Sequence, residues 1–337
     1  MSFRIHIPET GESFAAEPGE SVLQAARRAE VFLPHDCEAG DCGTCRIRLL
    51  EGHVAYDEFP LALMPEEAAE GYALACQARP ESDLVIEPAQ APLLLPDPER
   101  HSARVLRVEP LCEDVTHLVL EVPEAESLAW VPGQYMNIHL EDGRSRSFSM
   151  ASRPSGGRLD FHVRRIPGGD FTERRLARLR PGDMLEVELP LGSFVYREAD
   201  FRPLLMLATG TGIAPIKSML EALAEDPGCP PVTLYWGMRR RSDLYAHEQL
   251  RALGERLSDF RYIPVLSRAD AAWAGRRGYV QQAALEDLGD LSEHAIYLCG
   301  SPAMIADAKQ ALIARGASMR HIYTEAFTAR AAAPVAA

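Results

Sequence analysis

Four cysteines in the first quarter constrain this chain more than any other feature. Three stand together in Cys37-Glu38-Ala39-Gly40-Asp41-Cys42-Gly43-Thr44-Cys45, and Cys76 follows much later. The spacing C-x4-C-x2-C with a distant fourth cysteine is the plant-type pattern for a [2Fe–2S] cluster, in which each iron takes two thiolates. Zinc sites usually pair two C-x2-C units; here only Cys42 and Cys45 form one. Wrapping a single loop around a cluster forces sharp turns, and Gly40 and Gly43 offer positions without a Cβ. Amide groups in such a loop can donate to the sulfurs and tune the potential. Cys37, Cys42, Cys45 and Cys76 are therefore the expected metal ligands. The other three of the seven cysteines, Cys112, Cys229 and Cys299, are scattered. An odd count without a signal peptide argues against a disulfide framework.

The residues around the loop alternate like short strands near 3–7, 13–16, 46–50, 53–55 and 84–86, with a helix capped by Ser21 and a short one over 65–69. Small strands around one helix imply a compact α+β domain over residues 1–90. A proline-rich stretch, 91–101, reads as an extended linker. Residues 102–199 carry mostly strand signals between Pro/Gly turns, with a helix expected near 171–179, which suggests an antiparallel β-barrel. From 200 to 328 strands alternate with helices, the rhythm of a parallel α/β sheet. Residues 329–337 read as a flexible tail. The expected fold is thus multidomain, α+β and α/β.

Two further segments carry chemistry. In the barrel region, Arg146-Ser147-Phe148-Ser149 alternates a cation, an aromatic ring and a hydroxyl along a strand. Arg146 can hold a phosphate, Phe148 can stack on a flat ring and Ser149 can hydrogen-bond that ring. Further on, His162-Val163-Arg164 leads to Gly169-Asp170-Phe171-Thr172, a glycine turn that can offer its amides to a phosphate or serve as a plain turn. In the α/β region Thr209-Gly210-Thr211-Gly212-Ile213-Ala214-Pro215 follows a strand and opens a helix. Gly210 and Gly212 let backbone approach a pyrophosphate. Pro215 replaces the third glycine of the usual fingerprint and suits a first helical turn. A second loop, Cys299-Gly300-Ser301, also follows a strand, so the two together can form a dinucleotide crevice. Cys299 reads equally as its floor or as a packed thiol.

The net charge of −14 argues against nucleic acid as a partner. Residues 1–87 hold 17 acidic and 6 basic groups, a net of −11. That excess serves solubility or an acidic docking face for a basic partner. No apolar run approaches the ~20 residues that cross a bilayer, and the N-terminus lacks a signal-peptide core. A cytoplasmic protein without membrane contact is expected.

These motifs appear in the order seen in a known family. The chain to about residue 328 resembles the NADH-dependent reductase components of bacterial aromatic-ring oxygenases, in which a plant-type ferredoxin precedes a ferredoxin–NADP reductase-like module. Benzoate and terephthalate dioxygenase reductases are of this kind. The resemblance implies a β-grasp ferredoxin domain, an FAD-binding barrel and an NAD-binding domain. It implies that Arg146 binds the FAD pyrophosphate, Phe148 packs on the isoalloxazine and Ser149 contacts it at N5. His162, Val163 and Arg164, with Gly169 to Thr172, match the remaining flavin segments. Gly210, Thr211, Gly212 and Pro215 match the pyridine-nucleotide turn, and Cys299, Gly300 and Ser301 its nicotinamide-side loop. Glu325 and Phe327 match a C-terminal motif whose aromatic covers the flavin. Ser149, Cys299, Glu325 and Phe327 are thus the residues expected at the reacting centre. Thr209 stands where the family often has glycine, and the chain runs ten residues past Phe327. The implied activity is electron transfer from NADH through FAD and a [2Fe–2S] cluster to a terminal oxygenase component docking near the acidic domain, in aromatic hydrocarbon catabolism. Similar modules feed haem monooxygenases such as aromatic O-demethylases, and deoxysugar dehydratases. A contrasting reading is a redox sensor or binding module that lacks reductase activity. Arg239–Arg241 can hold a 2′-phosphate or form a solvated basic loop, so NADH is preferred through the resemblance.

Overall fold

The computed structural model describes residues 2–91, 93 and 95–328. The chain divides into two compact units: Met1–Leu94 with Ser318–Ala326, and Leu95–Ala317 with the residues from Phe327 onward. The tail expected at 329–337 lies outside the described residues.

In the first unit, strands β1 (Phe3–Ile7), β2 (Glu12–Ala16), β3 (Arg46–Glu51), β5 (Tyr72–Leu74) and β7 (Leu84–Pro88) form a sheet in the order β2-β1-β7-β3-β5. The two short strands β4 (Val54–Ala55) and β6 (Arg79–Pro80) pair separately. Strands β1 and β7 run parallel at the centre, flanked by antiparallel neighbours. This is the β-grasp arrangement. Helix α1 (Val22–Arg28) starts where expected because Ser21 and Gln24 form a reciprocal capping box. Its apolar face, Val22, Leu23, Ala25 and Ala26, is buried with Ile5, Ile7, Ile47 and Ile86. Two amides at its start, on Val22 and Leu23, donate to the carbonyls of Ala78 and Ala75. That fixes the helix against the chain on either side of Cys76. Helix α2 (Pro65–Ala69) follows the cysteine loop.

Within this unit the C-terminal segment Ser318–Ala326 packs with Glu87 and Gln90. The Gln90 side-chain amide donates to the Ile322 carbonyl at 3.0 Å, and Arg320 pairs with Glu87.

The second unit begins with six antiparallel strands: β8 (Glu99–Cys112), β9 (Val115–Glu121), β10 (Tyr135–His139), β11 (Ser145–Ser149), β12 (Arg158–Arg164) and β13 (Met184–Leu191). Their order is β11-β10-β13-β8-β9-β12. The ends of the sheet meet through a bridge between Met150 and Phe161, with the Ala151 amide donating to the Asp160 carbonyl at 2.7 Å. The sheet is therefore closed, as an antiparallel barrel requires. Strand β8 starts inside the stretch read as linker, because Glu99, Arg100 and His101 pair with Leu189, Glu188 and Val187. The helix expected near 171–179 is instead a wide π-type turn, Asp170–Arg175, followed by a 3-10 turn. Side chains explain the difference. Thr172 and Glu173 reach back to the amides of Ile166 and Gly168 and hold the first turn open.

Strands β14 (Leu204–Thr209), β15 (Val232–Met238), β16 (Phe260–Leu266), β17 (Arg276–Arg277) and β18 (Ala295–Gly300) form the parallel part of a six-stranded sheet, in the order β17-β16-β15-β14-β18. Residues 204–208 of β14 are all buried, as a strand covered on both faces must be. Helices α3 (Ile213–Leu223), α4 (His247–Leu253), α5 (Val280–Asp287) and α6 (Pro302–Ile313) complete this part. Within the second unit the Lys217 ammonium on α3 donates to the Ala151 carbonyl at 2.9 Å, and the Ser218 hydroxyl to that of Ser152 at 2.7 Å. The helix is thereby joined to the barrel edge just after β11.

Candidate functional site

The four expected ligands come together in the first unit as two pairs. The thiols of Cys37 and Cys42 face each other, and so do those of Cys45 and Cys76. Sharing a proton with Cys42 pulls the Cys37 thiol down to about 6 and pushes Cys42 up. In the other pair Cys76 goes down and Cys45 up for the same reason. Among the described residues no three His, Cys, Asp or Glu side chains converge on a single metal ion. A two-and-two arrangement suits two irons with two thiolates each.

The loop backbone fits such a cluster. The Ala39 amide donates to Cys37 Sγ at 3.4 Å. Gly40 and Gly43 both have φ of +79°, which side chains other than glycine rarely adopt. A Cβ at Gly40 would also lie 2.8 Å from Pro60 Cβ. The loop is held from outside as well. The Ala62 amide donates to the Gly40 carbonyl at 2.9 Å, and the Thr324 hydroxyl to the Cys42 carbonyl at 2.7 Å. Thr324 carries no motif of its own, so nothing in its local sequence marks it.

The barrel residues lie on two neighbouring strands and the turn that follows. Arg146, Ser147, Phe148 and Ser149 occupy β11. Arg146 is half-buried and donates to the neighbouring Ser145 carbonyl. It forms no ion pair among the described residues, which suits a guanidinium meant for an external phosphate. Ser147 is exposed, while Ser149, two residues on along the same face of the strand, is buried. The ring of Phe148 sits 5.3 Å from that of Phe171, so the strand and the glycine turn meet there. Asp170 pairs with Arg144, and the amides of Gly168 and Gly169 are taken by Glu173 and by the Ile166 carbonyl. Those two amides are thus used within the turn.

His162, Val163 and Arg164 lie on β12. Val163 points into the barrel core. His162 faces the other way and meets Tyr245, with Nδ1 and the Tyr245 hydroxyl 3.2 Å apart and the rings nearly perpendicular. Burial, reinforced by the Lys217 and His117 charges, pulls His162 down to about 3. The ring is therefore neutral at pH 7. His117 in turn is held by Asp160 at 2.7 Å. Tyr245 follows the basic stretch Arg239–Arg241, and its packing against Trp236 and His162 is a tertiary feature with no local sequence signal.

The nucleotide turn and the second glycine loop touch directly. A Cβ on Gly212 would come within 2.3 Å of the Cys299 carbonyl oxygen. One on Gly300 would meet Thr209 Oγ1 at 2.2 Å. Thr209 thus occupies space that Gly300 leaves open, which accommodates the departure from glycine at 209. The Trp236 indole donates to the Gly210 carbonyl at 3.0 Å and fixes the left-handed turn there, φ +57°. Thr211 is buried, and Pro215 lies in the first turn of α3. Arg164 reaches within 3.9 Å of a Cβ position on Gly210, while its Nε pairs with Asp114 at 3.2 Å. The Cys299 thiol is fully buried, and Ser301 caps α6 through the Met304 amide. These two loops stand at the carboxyl ends of adjacent parallel strands, β14 and β18, where dinucleotides bind in open α/β sheets. Close backbone packing with no intervening Cβ fits a pyrophosphate.

Glu325 belongs to the first unit; Phe327 belongs to the second, where its amide donates to the Gly300 carbonyl at 2.7 Å.

Comparison with known proteins gives three family matches in this order: a 2Fe-2S iron-sulfur cluster binding domain over residues 5–81, an oxidoreductase FAD-binding domain over 102–196 and an oxidoreductase NAD-binding domain over 206–310. The chain is 34% identical to Protein RfbI of Salmonella typhimurium, covering 98% of both chains. It is 36% identical to reductase component 2 of terephthalate 1,2-dioxygenase from a Comamonas species, covering 97% of this chain and 98% of that one. Among solved structures, the Amycolatopsis cytochrome P450 reductase GcoB superposes with a TM-score of 0.71 at 34% identity, covering 97% of this chain and 99% of that one.

Proposed function

The chain belongs to the family of iron–sulfur flavoprotein reductases that join a plant-type [2Fe–2S] domain to FAD-binding and NAD-binding domains, and from that premise we propose how its residues divide the work of moving electrons from NADH to a protein acceptor. Bound FAD supplies the exchange between a two-electron hydride and single electrons, and the [2Fe–2S] cluster supplies one-electron transfer.

Everything else is the task of the chain. Gly210, Thr211, Gly212 and Pro215, facing Cys299, Gly300 and Ser301, hold the NADH pyrophosphate and orient the nicotinamide. Arg146 neutralises the FAD pyrophosphate, with Phe148 and Ser149 lining the ring and Gly169 to Thr172 closing the side. His162 is kept neutral by burial, so it adds no positive charge beside Arg164. Phe327, whose amide donates to the Gly300 carbonyl, covers the flavin with its ring, and Glu325 stands with it at the reacting centre. Cys37 and Cys42 hold one iron, Cys45 and Cys76 the other. The domain limits that go with this are 1–90, 102–199 and 200–328, with 91–101 as the linker. The observation that carries the reading is the pairing of the four thiols, two and two, in a glycine-turned loop.

The electron acceptor we favour is the terminal oxygenase of a multicomponent aromatic-ring system, docking by a basic patch on the acidic first unit. The kinship with the terephthalate dioxygenase reductase supports it. The likeness to a cytochrome P450 reductase favours a haem monooxygenase as second choice. A cytoplasmic location is consistent with seven free cysteines, and among the described residues no helix is long and apolar enough to cross a membrane.

The test is the visible spectrum of the purified protein under anaerobic conditions. Flavin bands on a red-brown background should bleach on adding NADH, and less readily with NADPH. A spectrum that neither nucleotide changes would overturn the proposal.

A further inference from the structure

Beside the cysteine loop lies a buried ion pair with no part in ligation. Arg46 follows Cys45 directly, and Glu67 sits on α2; each is only 5% exposed, and Arg46 Nη2 lies 3.3 Å from Glu67 Oε2. Pairs such as Arg153–Glu225 elsewhere in the chain are about half exposed. Burying two charges is costly, and well-packed apolar residues often serve stability as well or better. A buried pair of this kind has a structural role that an apolar pair cannot fill.

The contacts identify one. Arg46 Nη2 also donates to the Ala62 carbonyl at 2.8 Å. The amide of the same residue, Ala62, donates to the Gly40 carbonyl. Glu67 Oε2 accepts from the Met64 amide at 2.9 Å, so both ends of the 62–64 turn are gripped by one ion pair. The two terminal guanidinium nitrogens lie 3.3 and 3.5 Å from where a Gly43 Cβ would stand, so the cation packs directly under the second glycine of the loop. Both left-handed glycines are thus within one or two contacts of Arg46. A planar guanidinium can serve a carbonyl and a carboxylate at fixed angles while lying flat against backbone; an ammonium cannot.

We propose that Arg46 and Glu67 are positioning residues that hold the cysteine loop in its cluster-binding conformation. This rests on the assignment of Cys37, Cys42, Cys45 and Cys76 as the ligands. The pair acts on the loop backbone, setting the direction of the amides that face the thiols. Partners of this kind outside the ligand shell commonly change metal affinity 10–100-fold.

The test uses full-length holoprotein and follows loss of the cluster's visible absorbance under excess EDTA, together with its low-temperature EPR spectrum after reduction. The double variant Arg46→Met/Glu67→Leu should melt near the wild-type temperature and retain NADH-driven ferricyanide reduction. Its cluster should bleach about 10–100-fold faster, with a broadened EPR signal. Arg46→Lys and Glu67→Gln, which keep part of the hydrogen bonding, should fall between. They also supply the test if the double variant fails to fold. Wild-type cluster lifetime and EPR line shape in all variants that fold would overturn the proposal. A wild-type protein that shows no cluster signal would instead overturn the ligand assignment itself.

Discussion

The Thr324 hydroxyl donates to the Cys42 carbonyl at 2.7 Å, joining residues 282 positions apart. Cys42 is the second member of the first thiol pair, and its carbonyl opens the turn through Gly43 that leads to Cys45. A single hydrogen bond of this kind contributes ~1 kcal/mol, about a fivefold change in a local opening equilibrium. Thr324→Val should therefore speed amide exchange across residues 38–44 about fivefold while leaving β1 and β7 unchanged. Equal exchange in the two proteins would mean that the bond does not persist in solution.

Removing one cluster ligand separates the two halves of the electron path. Cys76→Ala leaves Cys45 without its pair mate, and the second iron loses a thiolate. Reduction of cytochrome c by NADH should be abolished, while reduction of ferricyanide continues at the wild-type rate. If both activities survived, electrons would not pass through this loop.

Gly212 has no room for a methyl group. Its Cβ would sit 2.3 Å from the Cys299 carbonyl oxygen and 2.7 Å from the carbonyl carbon, both backbone atoms that cannot swing away. Gly212→Ala must push the two nucleotide loops apart, at ~1–3 kcal/mol for overpacking of this kind. The KM for NADH should rise about tenfold or more, with bound flavin and its visible spectrum retained. An unchanged KM would show that NADH does not depend on this contact.

His162 predicts a direction of pH dependence. Burial lowers it from an ordinary value of 6.5 to about 3, so between those values the unfolded chain takes up a proton that the folded chain refuses. Stability then rises with pH across that window and is fully present above pH 6.5. The melting temperature should fall between pH 7 and pH 4, and His162→Gln should flatten that part of the profile. A His162→Gln profile parallel to wild type would assign the acid sensitivity to other groups.

Local signals survived best in this chain. The cysteine spacing, the Ser21 capping box, the helix over Pro65–Ala69 and the apolar run of β14 are each decided by neighbours within a few residues. What stayed hidden depends on distant partners. The turn from Asp170 is widened by side chains returning to Ile166 and Gly168, a competition that helical periodicity does not register. Strands β5 and β6 are too short to show alternation and exist because β3 and β4 pair with them. Arg46 and Glu67 look like surface charges in sequence; only the placement of α2 beside the cysteine loop buries them together. The contacts that the 318–326 segment makes with Cys42, Glu87 and Gln90 were hidden for the same reason, since strand and helix rhythm carries no sign of partners so distant in the chain.

That last segment has a consequence for biosynthesis. During translation the β-grasp sheet emerges first and can form early, but the groups that receive Thr324, Arg320 and the Ile322 carbonyl must wait until nearly the whole chain has left the ribosome. The first domain to be made is thus among the last to be finished. A gene fragment cut after residue 94 would encode a ferredoxin missing its closing piece, and transplanting this electron carrier into another reductase would mean moving two stretches of DNA instead of one.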